Sequence, residues 1–127
     1  MTALGLTLDA GALIAFERNE RRLVALLARA LEHDLTLAVP AGVVAQVWRD
    51  GRRQARLARL LAAPEVELEP LDDIRARAAG QLCGVTRTAD VVDASVVLCA
   101  RTRKHAIVTS DPADLRRLDP KAHLIET

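Results

Sequence analysis

Residues 88–111 read TADVVDASVVLCARTRKHAIVTSD. From Thr88, an N-cap residue type, small and apolar side chains recur at helical spacing to about Arg103, with Asp90 in the first turn where it suits the helix dipole. Ala106-Ile107-Val108-Thr109 then forms a continuous apolar run, too short for a helix and ended by Ser110-Asp111. A helix feeding directly into a fully apolar strand is the repeating unit of a parallel sheet buried on both faces.

The same alternation extends outward. Residues 4–8 form a strand, 10–17 a short helix, and Glu20 to His33 a helix with Leu23, Leu26, Leu27, Ala30 and Leu31 on one stripe. Residues 35–39 form a second strand. Pro40 can open a helix without losing a hydrogen bond, and that helix carries Val43, Val44, Val47 and Trp48 to about Asp50-Gly51. An arginine-rich helix from Arg52 to Ala63 ends at Pro64. Residues 65–69 alternate as a half-exposed strand, and 71–83 form a helix that Gly84 should stop. A short helix near 112–118 and a strand near 122–126 complete an α/β chain with a mostly parallel sheet. The 127 residues fit one domain, 1–127, with no linker or repeat.

Composition removes several classes of function. Net charge is +1, so any nucleic-acid contact must be a local patch. Phe16 and Trp48 are the only aromatic residues, which leaves no platform for stacking bases. Cys83 and Cys99 lie in apolar helical surroundings without metal-ligand spacing and read as buried small hydrophobes. His33, His105 and His123 have no partner at ligand spacing. No apolar run reaches the roughly 20 residues needed to span a membrane, and no signal-peptide pattern opens the chain. A cytoplasmic protein without a membrane association is expected.

Three carboxylates carry the chemistry. Asp9 ends the first strand, Asp111 follows the late one, and Asp93 sits among Val91, Val92, Ala94, Val96 and Val97 in the first turns of the helix between. Asp9 and Asp111 could each cap the helix that follows, but Asp93 needs a partner if buried. In open α/β sheets the working crevice lies beyond the carboxyl ends of the strands. Acids that converge there repel one another unless a hard divalent cation with oxygen ligands compensates. Such an ion polarises a phosphate oxygen and lowers the pKa of water, so a phosphodiester is the substrate class that follows.

Four segments in register then show a resemblance: TLDAGALIAF at 7–16, VPAGVVAQVWR at 39–49, DVVDASVVLCA at 90–100 and IVTSDPADL at 107–115. Together they resemble the PIN domain, most closely the VapC-type toxins of bacterial toxin–antitoxin pairs. The resemblance implies a three-layer α/β/α sandwich, Mg²⁺ or Mn²⁺ dependence, endoribonuclease activity on RNA, homodimerisation and inhibition by a small antitoxin protein. Asp9, Asp93 and Asp111 match the family's first, third and fourth acids, as metal ligands and catalytic residues.

The second acid of the family is normally a Glu where this chain has Gln46. A glutamine keeps the length and a carbonyl ligand but removes a charge and any basic capacity. Asp90, one helical turn from Asp93, and Asp114, three residues beyond Asp111, could supply the missing charge. The Ser110 hydroxyl could orient water or phosphate. Arg49, Arg52, Arg53, Arg56 and Arg59 form the densest basic stretch, with Arg52, Arg56 and Arg59 expected on one helical face. They could grip RNA phosphates, meet an antitoxin or second subunit, or simply be solvated. A PIN-like module that binds RNA or an antitoxin without efficient cleavage is the alternative to a nuclease. A phosphorelay receiver would need paired acids after the first strand and a late lysine. A haloacid-dehalogenase phosphatase would need a second Asp where Gly11 stands, and no phosphate-binding glycine loop is present.

Overall fold

The computed structural model describes residues 3–127. The element order is β1 (Gly5–Leu8), α1 (Ala10–Glu17), α2 (Arg21–Glu32), β2 (Thr36–Pro40), α3 (Ala41–Val47), α4 (Ala55–Ala62), β3 (Val66–Glu69), α5 (Asp73–Thr86), α6 (Val91–Arg103), β4 (Ala106–Thr109), α7 (Pro112–Leu118) and β5 (Leu124–Glu126). The five strands form one sheet in the order β3-β2-β1-β4-β5, and every pairing is parallel. The expected parallel α/β sheet is therefore present, and helices cover both faces. On one face α1 packs against α2 and α4; on the other α6 packs against α5 and α7. α3 bridges the layers by touching both α1 and α6.

Burial follows the apolar runs. Leu8, Leu37, Val39 and Val108 are fully enclosed, and Leu13, Leu23, Val43, Val96 and Leu115 bring the helices onto them. Gly5 admits close approach of two strands: a Cβ there would collide with the Thr36 carbonyl and the His105 ring. Cys83 and Cys99 are buried free thiols, as composition predicts. Burial pushes the Cys99 thiol up to about 11, which leaves it protonated and unreactive. Among the described residues no helix is long and apolar enough to cross a membrane.

Three boundaries differ from the sequence reading, each for a local reason. The helix after β2 starts at Ala41 with Pro40 as its cap and ends at Val47, not near Asp50. Gln54 is the cause: its amide donates to the Val47 carbonyl at 2.8 Å while its Oε1 accepts from the Arg49 and Asp50 amides at 2.8 and 3.0 Å. Arg52 and Arg53 consequently lie in a turn, and α4 carries Arg56 and Arg59 alone, so the single arginine face does not form. Second, α5 runs through Gly84 and stops at Arg87, which takes the left-handed conformation at φ 57°. Third, Asp90 rather than Thr88 caps α6, its carboxylate accepting from the Asp93 amide at 2.9 Å.

The edge strand β3 also departs from simple alternation. Glu65 and Glu67 are exposed but Glu69 is buried, its Oε1 clasped by Arg75 at 3.1 Å and by Arg103. Arg103 also reaches Glu67 at 3.2 Å. This pairing ties the end of β3 to α5 and α6.

Candidate functional site

The strand order reverses between β1 and β4, with β2 and β3 on one side and β5 on the other. Such a switch point opens a crevice at the carboxyl edge of the sheet. Leu8 stands in register with Val108 across that boundary, so Asp9 and the Ser110-Asp111 pair emerge side by side. α6 runs back antiparallel to the strands, which returns its first turn, and Asp93, to the same edge.

Asp9 is fixed most firmly. It is 8% exposed, caps α1, and accepts from the Ala12 amide at 2.9 Å. Burial raises its pKa; the Thr109 hydroxyl and the Ala12 and Gly11 amides pull it down, and the Asp111 charge raises it further. Burial prevails. Thr109 serves both loops, because its hydroxyl also accepts from the Asp111 amide at 2.9 Å. Asp111 heads α7 without any side-chain capping bond, so its carboxylate is left exposed and uncommitted. Ser110 is exposed and sits over Gly11, where a Cβ would collide with its hydroxyl.

Asp93 is half-buried, and its carboxyl is pushed up to about 7. Burial is the largest cause, followed by the charges of Asp90, Asp9 and Asp114. The charges of Asp90, Asp9 and Asp114 thus bear on Asp93, and that of Asp111 on Asp9. Asp90, Asp93 and Asp114 line a hollow of about 390 Å³ together with Thr86, Arg87, Thr88 and Arg117. Asp90 has the capping role, with its Oδ1 already accepting from the Asp93 amide.

Gln46 is exposed on α3 and lines a second hollow with Ile14, Glu17, Arg18, Arg49, Asp50, Arg53 and Gln54. Within that hollow Gln54 holds Glu17 by an amide–carboxylate bond of 3.0 Å. Arg49 bends back to the Ala45 and Trp48 carbonyls at 3.2 and 2.6 Å. Arg52 is free in the turn, and Arg53 makes a long, exposed contact of 3.9 Å with Asp50. Arg56 stacks over Phe16 at 5.1 Å and donates to Asn19 at 2.9 Å. His105 lies at the opposite end of the sheet, its ring between the Thr7 and Thr36 hydroxyls at 3.1 and 3.2 Å, and burial lowers its pKa.

Sequence reasoning missed Thr109, whose hydroxyl joins two acidic loops, and Gln54, which organises the turn carrying the arginines. It also missed Arg87 and Arg117 at the acidic hollow. Thr109 had one available signal: its hydroxyl ends a strand run that is otherwise apolar.

The donor chemistry fits a hard divalent cation. Asp9, Asp93 and Asp111 offer only oxygen atoms, and the burial and repulsion that raise their pKa values are relieved by positive charge. Among the described residues, no three His, Cys, Asp or Glu side chains are already drawn close enough to hold an ion. The fit therefore lies in chemistry and placement, with closure of the carboxylates left to binding.

A family model for the PIN domain matches residues 6–120 of this chain. Among curated proteins no match was found. Among solved structures the chain is similar to one of VapBC2 from Rickettsia felis bound to a DNA fragment from their promoter, with a TM-score of 0.73 at 15% identity, covering 96% of this chain and 98% of that one. It is also similar to FitAB bound to an IR36 DNA fragment, with a TM-score of 0.67 at 16% identity over 95% and 94% of the two chains. FitAcB from Neisseria gonorrhoeae gives 0.66 at 18% identity over 95% and 96%. At these identities the likeness speaks to the fold.

Proposed function

This chain belongs to the PIN domain family, and from that premise we propose that it is a Mg²⁺- or Mn²⁺-dependent endoribonuclease, the toxin of a toxin–antitoxin pair. The observation that carries the proposal is the half-buried Asp93, pushed up to about 7 by burial and by three neighbouring aspartates at the switch point of the sheet. A carboxyl kept there without a counter-charge costs stability, and metal binding is the common reason to retain it.

Asp9, Asp93 and Asp111 would hold the cation. When bound, the ion would neutralise phosphate charge and activate water for attack on the phosphodiester. The chain's own part is positioning. The Ala12 amide and the Thr109 hydroxyl hold Asp9 in one orientation and favour its charged form. Asp90 fixes the first turn of α6 and so the place of Asp93. The exposed guanidiniums of Arg52 and Arg53, with Arg49 and Arg56 beside them, would steer RNA phosphates.

VapBC2 and FitAB are toxin–antitoxin complexes, and the shared fold supports an antitoxin as the partner here. Trp48, 37% exposed beside Val44, Ala58, Leu61 and Ala62, offers an apolar hollow that an antitoxin or a second subunit would cover.

One observation favours the alternative of a binding module that cuts poorly. Gln46 stands where the family normally has its second acid, which leaves one carboxylate fewer to hold a cation. The two readings separate on incubation of total RNA with Mg²⁺ or Mn²⁺ and wild type, Asp93→Asn or Gln46→Glu. A nuclease cuts as wild type and loses cleavage in Asp93→Asn while remaining folded. Cleavage by Gln46→Glu alone would assign the natural chain to binding, and no cleavage by any of them would remove the nuclease reading.

A further inference from the structure

We propose that the hollow beside Asp93 is a backbone subsite in which Arg87 and Arg117 together hold one phosphate of a single-stranded RNA, adjacent to the bond at the acidic centre. The inference deepens the nuclease reading and rests on it for the identity of the polymer. The hollow, about 390 Å³, falls within the range of small-ligand sites, roughly 300–1,000 Å³. Its lining joins the acidic Asp90, Asp93 and Asp114 with the basic Arg87 and Arg117.

Those two guanidiniums are uncommitted. Among the described residues the arginine ion pairs belong to Arg53, Arg75, Arg77, Arg101 and Arg103. Arg87 and Arg117 pair with none of the three carboxylates in their own hollow. Such cations are available to a ligand, and a guanidinium matches the planar fork of phosphate oxygens better than an ammonium does.

Arg87 is also held in an unusual backbone state. It ends α5 at φ 57°, a position where glycine is usual and a larger residue is strained. Asn19, Asp34 and Lys104 take the same conformation, so the backbone state places the Arg87 side chain without by itself marking a ligand site.

Asp93 is common to the hollow and to the group of acids around Asp9. A polymer with evenly spaced phosphates can thus place one phosphate between the arginines and its neighbour at the acids.

The test is fluorescence anisotropy of a short labelled single-stranded RNA with the full chain in EDTA, where no cleavage occurs. The variants are Arg117→Ala, Arg87→Gly and Arg116→Ala. Arg116 is an exposed neighbour on α7 that does not line the hollow. Arg87→Gly relaxes the positive φ, so folding is retained and melting temperature verifies it. Arg117→Ala and Arg87→Gly should each weaken RNA binding about fivefold or more and lower the slope of log K against log salt by about 1. Arg116→Ala should change affinity less than about twofold.

Equal losses at Arg116 and Arg117 would overturn the subsite, as would wild type that fails to bind RNA. Displacement of RNA by poly-glutamate at equal charge would also overturn it, by showing a general anion surface. Parallel cleavage assays keep the two readings apart. Cleavage with unchanged binding in the arginine variants ends the subsite and leaves the nuclease. Binding losses in a chain that never cuts end the nuclease and leave the subsite.

Discussion

The Ser110 hydroxyl occupies the space that a Cβ on Gly11 would fill. The loops carrying Asp9 and Asp111 are therefore fitted to each other across the switch point. Gly11→Ala should force the serine to another rotamer or shift its loop, at a cost of about 1–2 kcal/mol. Ser110→Ala removes the obstructing oxygen, and the serine Cβ lies at an ordinary 3.5 Å from the new methyl position. The double variant should recover most of the loss. Chemical denaturation of the four proteins gives a coupling energy of about 1 kcal/mol if the fit is real; additive losses would deny it.

Asp93 makes stability fall with rising pH. Its folded pKa, about 7, lies above the ordinary aspartate value of 3.8. The folded chain holds a proton that the unfolded chain has released, so the favourable contribution is complete below about pH 4 and lost as pH rises through about 7. In a chelating buffer Asp93→Asn should flatten this part of the profile. At about pH 8 it should stabilise by about 1–2 kcal/mol, allowing for the solvent that reaches a half-buried carboxyl. Thermal melts across that range would check it, and an unchanged pH slope in the variant would contradict it.

Thr109→Val should disturb Asp9 without enlarging the core. The hydroxyl lowers the pKa of Asp9 and accepts the Asp111 amide. Its loss leaves the carboxylate less favoured and frees the Asp111 loop. The acid limb of the cleavage–pH profile should move to higher pH, with activity falling about tenfold near neutrality. A profile that keeps its shape would show that Thr109 only fills space.

Glu69→Ala should cost about 3 kcal/mol. The variant leaves Arg103 and Arg75 without the buried carboxylate they share. Glu67→Ala, which removes an exposed partner of Arg103, should cost less than about 1 kcal/mol. Urea unfolding distinguishes the two, and similar losses would contradict the burial argument.

The strands and their parallel pairing are legible because apolar runs of four or five residues end in Asp9 and Ser110-Asp111. The boundaries set by distant contacts are not. Gln54 lies in an arginine-rich run with nothing local to mark it, yet it ends α3 by capping Val47. Glu65, Glu67 and Glu69 look alike in sequence, and the arrival of Arg75 from α5 and Arg103 from α6 sets the last apart. Gly84 reads as a stop, but an exposed glycine costs a helix only about 1 kcal/mol, and α5 continues to Arg87. Arg117 reads as one of two equal surface charges, and the turn of α7 alone selects which faces the acids. Gln46 is legible as a departure from the family's pattern, and its hollow with Glu17 and Gln54 required coordinates.

The most direct test of the central claim, that the clustered acids exist to hold a divalent cation, is calorimetric titration of Mn²⁺ into wild type and Asp93→Asn near neutral pH. In wild type, binding should release protons, because the cation favours the ionised form of a carboxyl whose pKa is about 7. In Asp93→Asn affinity should fall by about tenfold or more and proton release should largely vanish. Equal affinity in the two proteins, or no binding in wild type, would contradict the account.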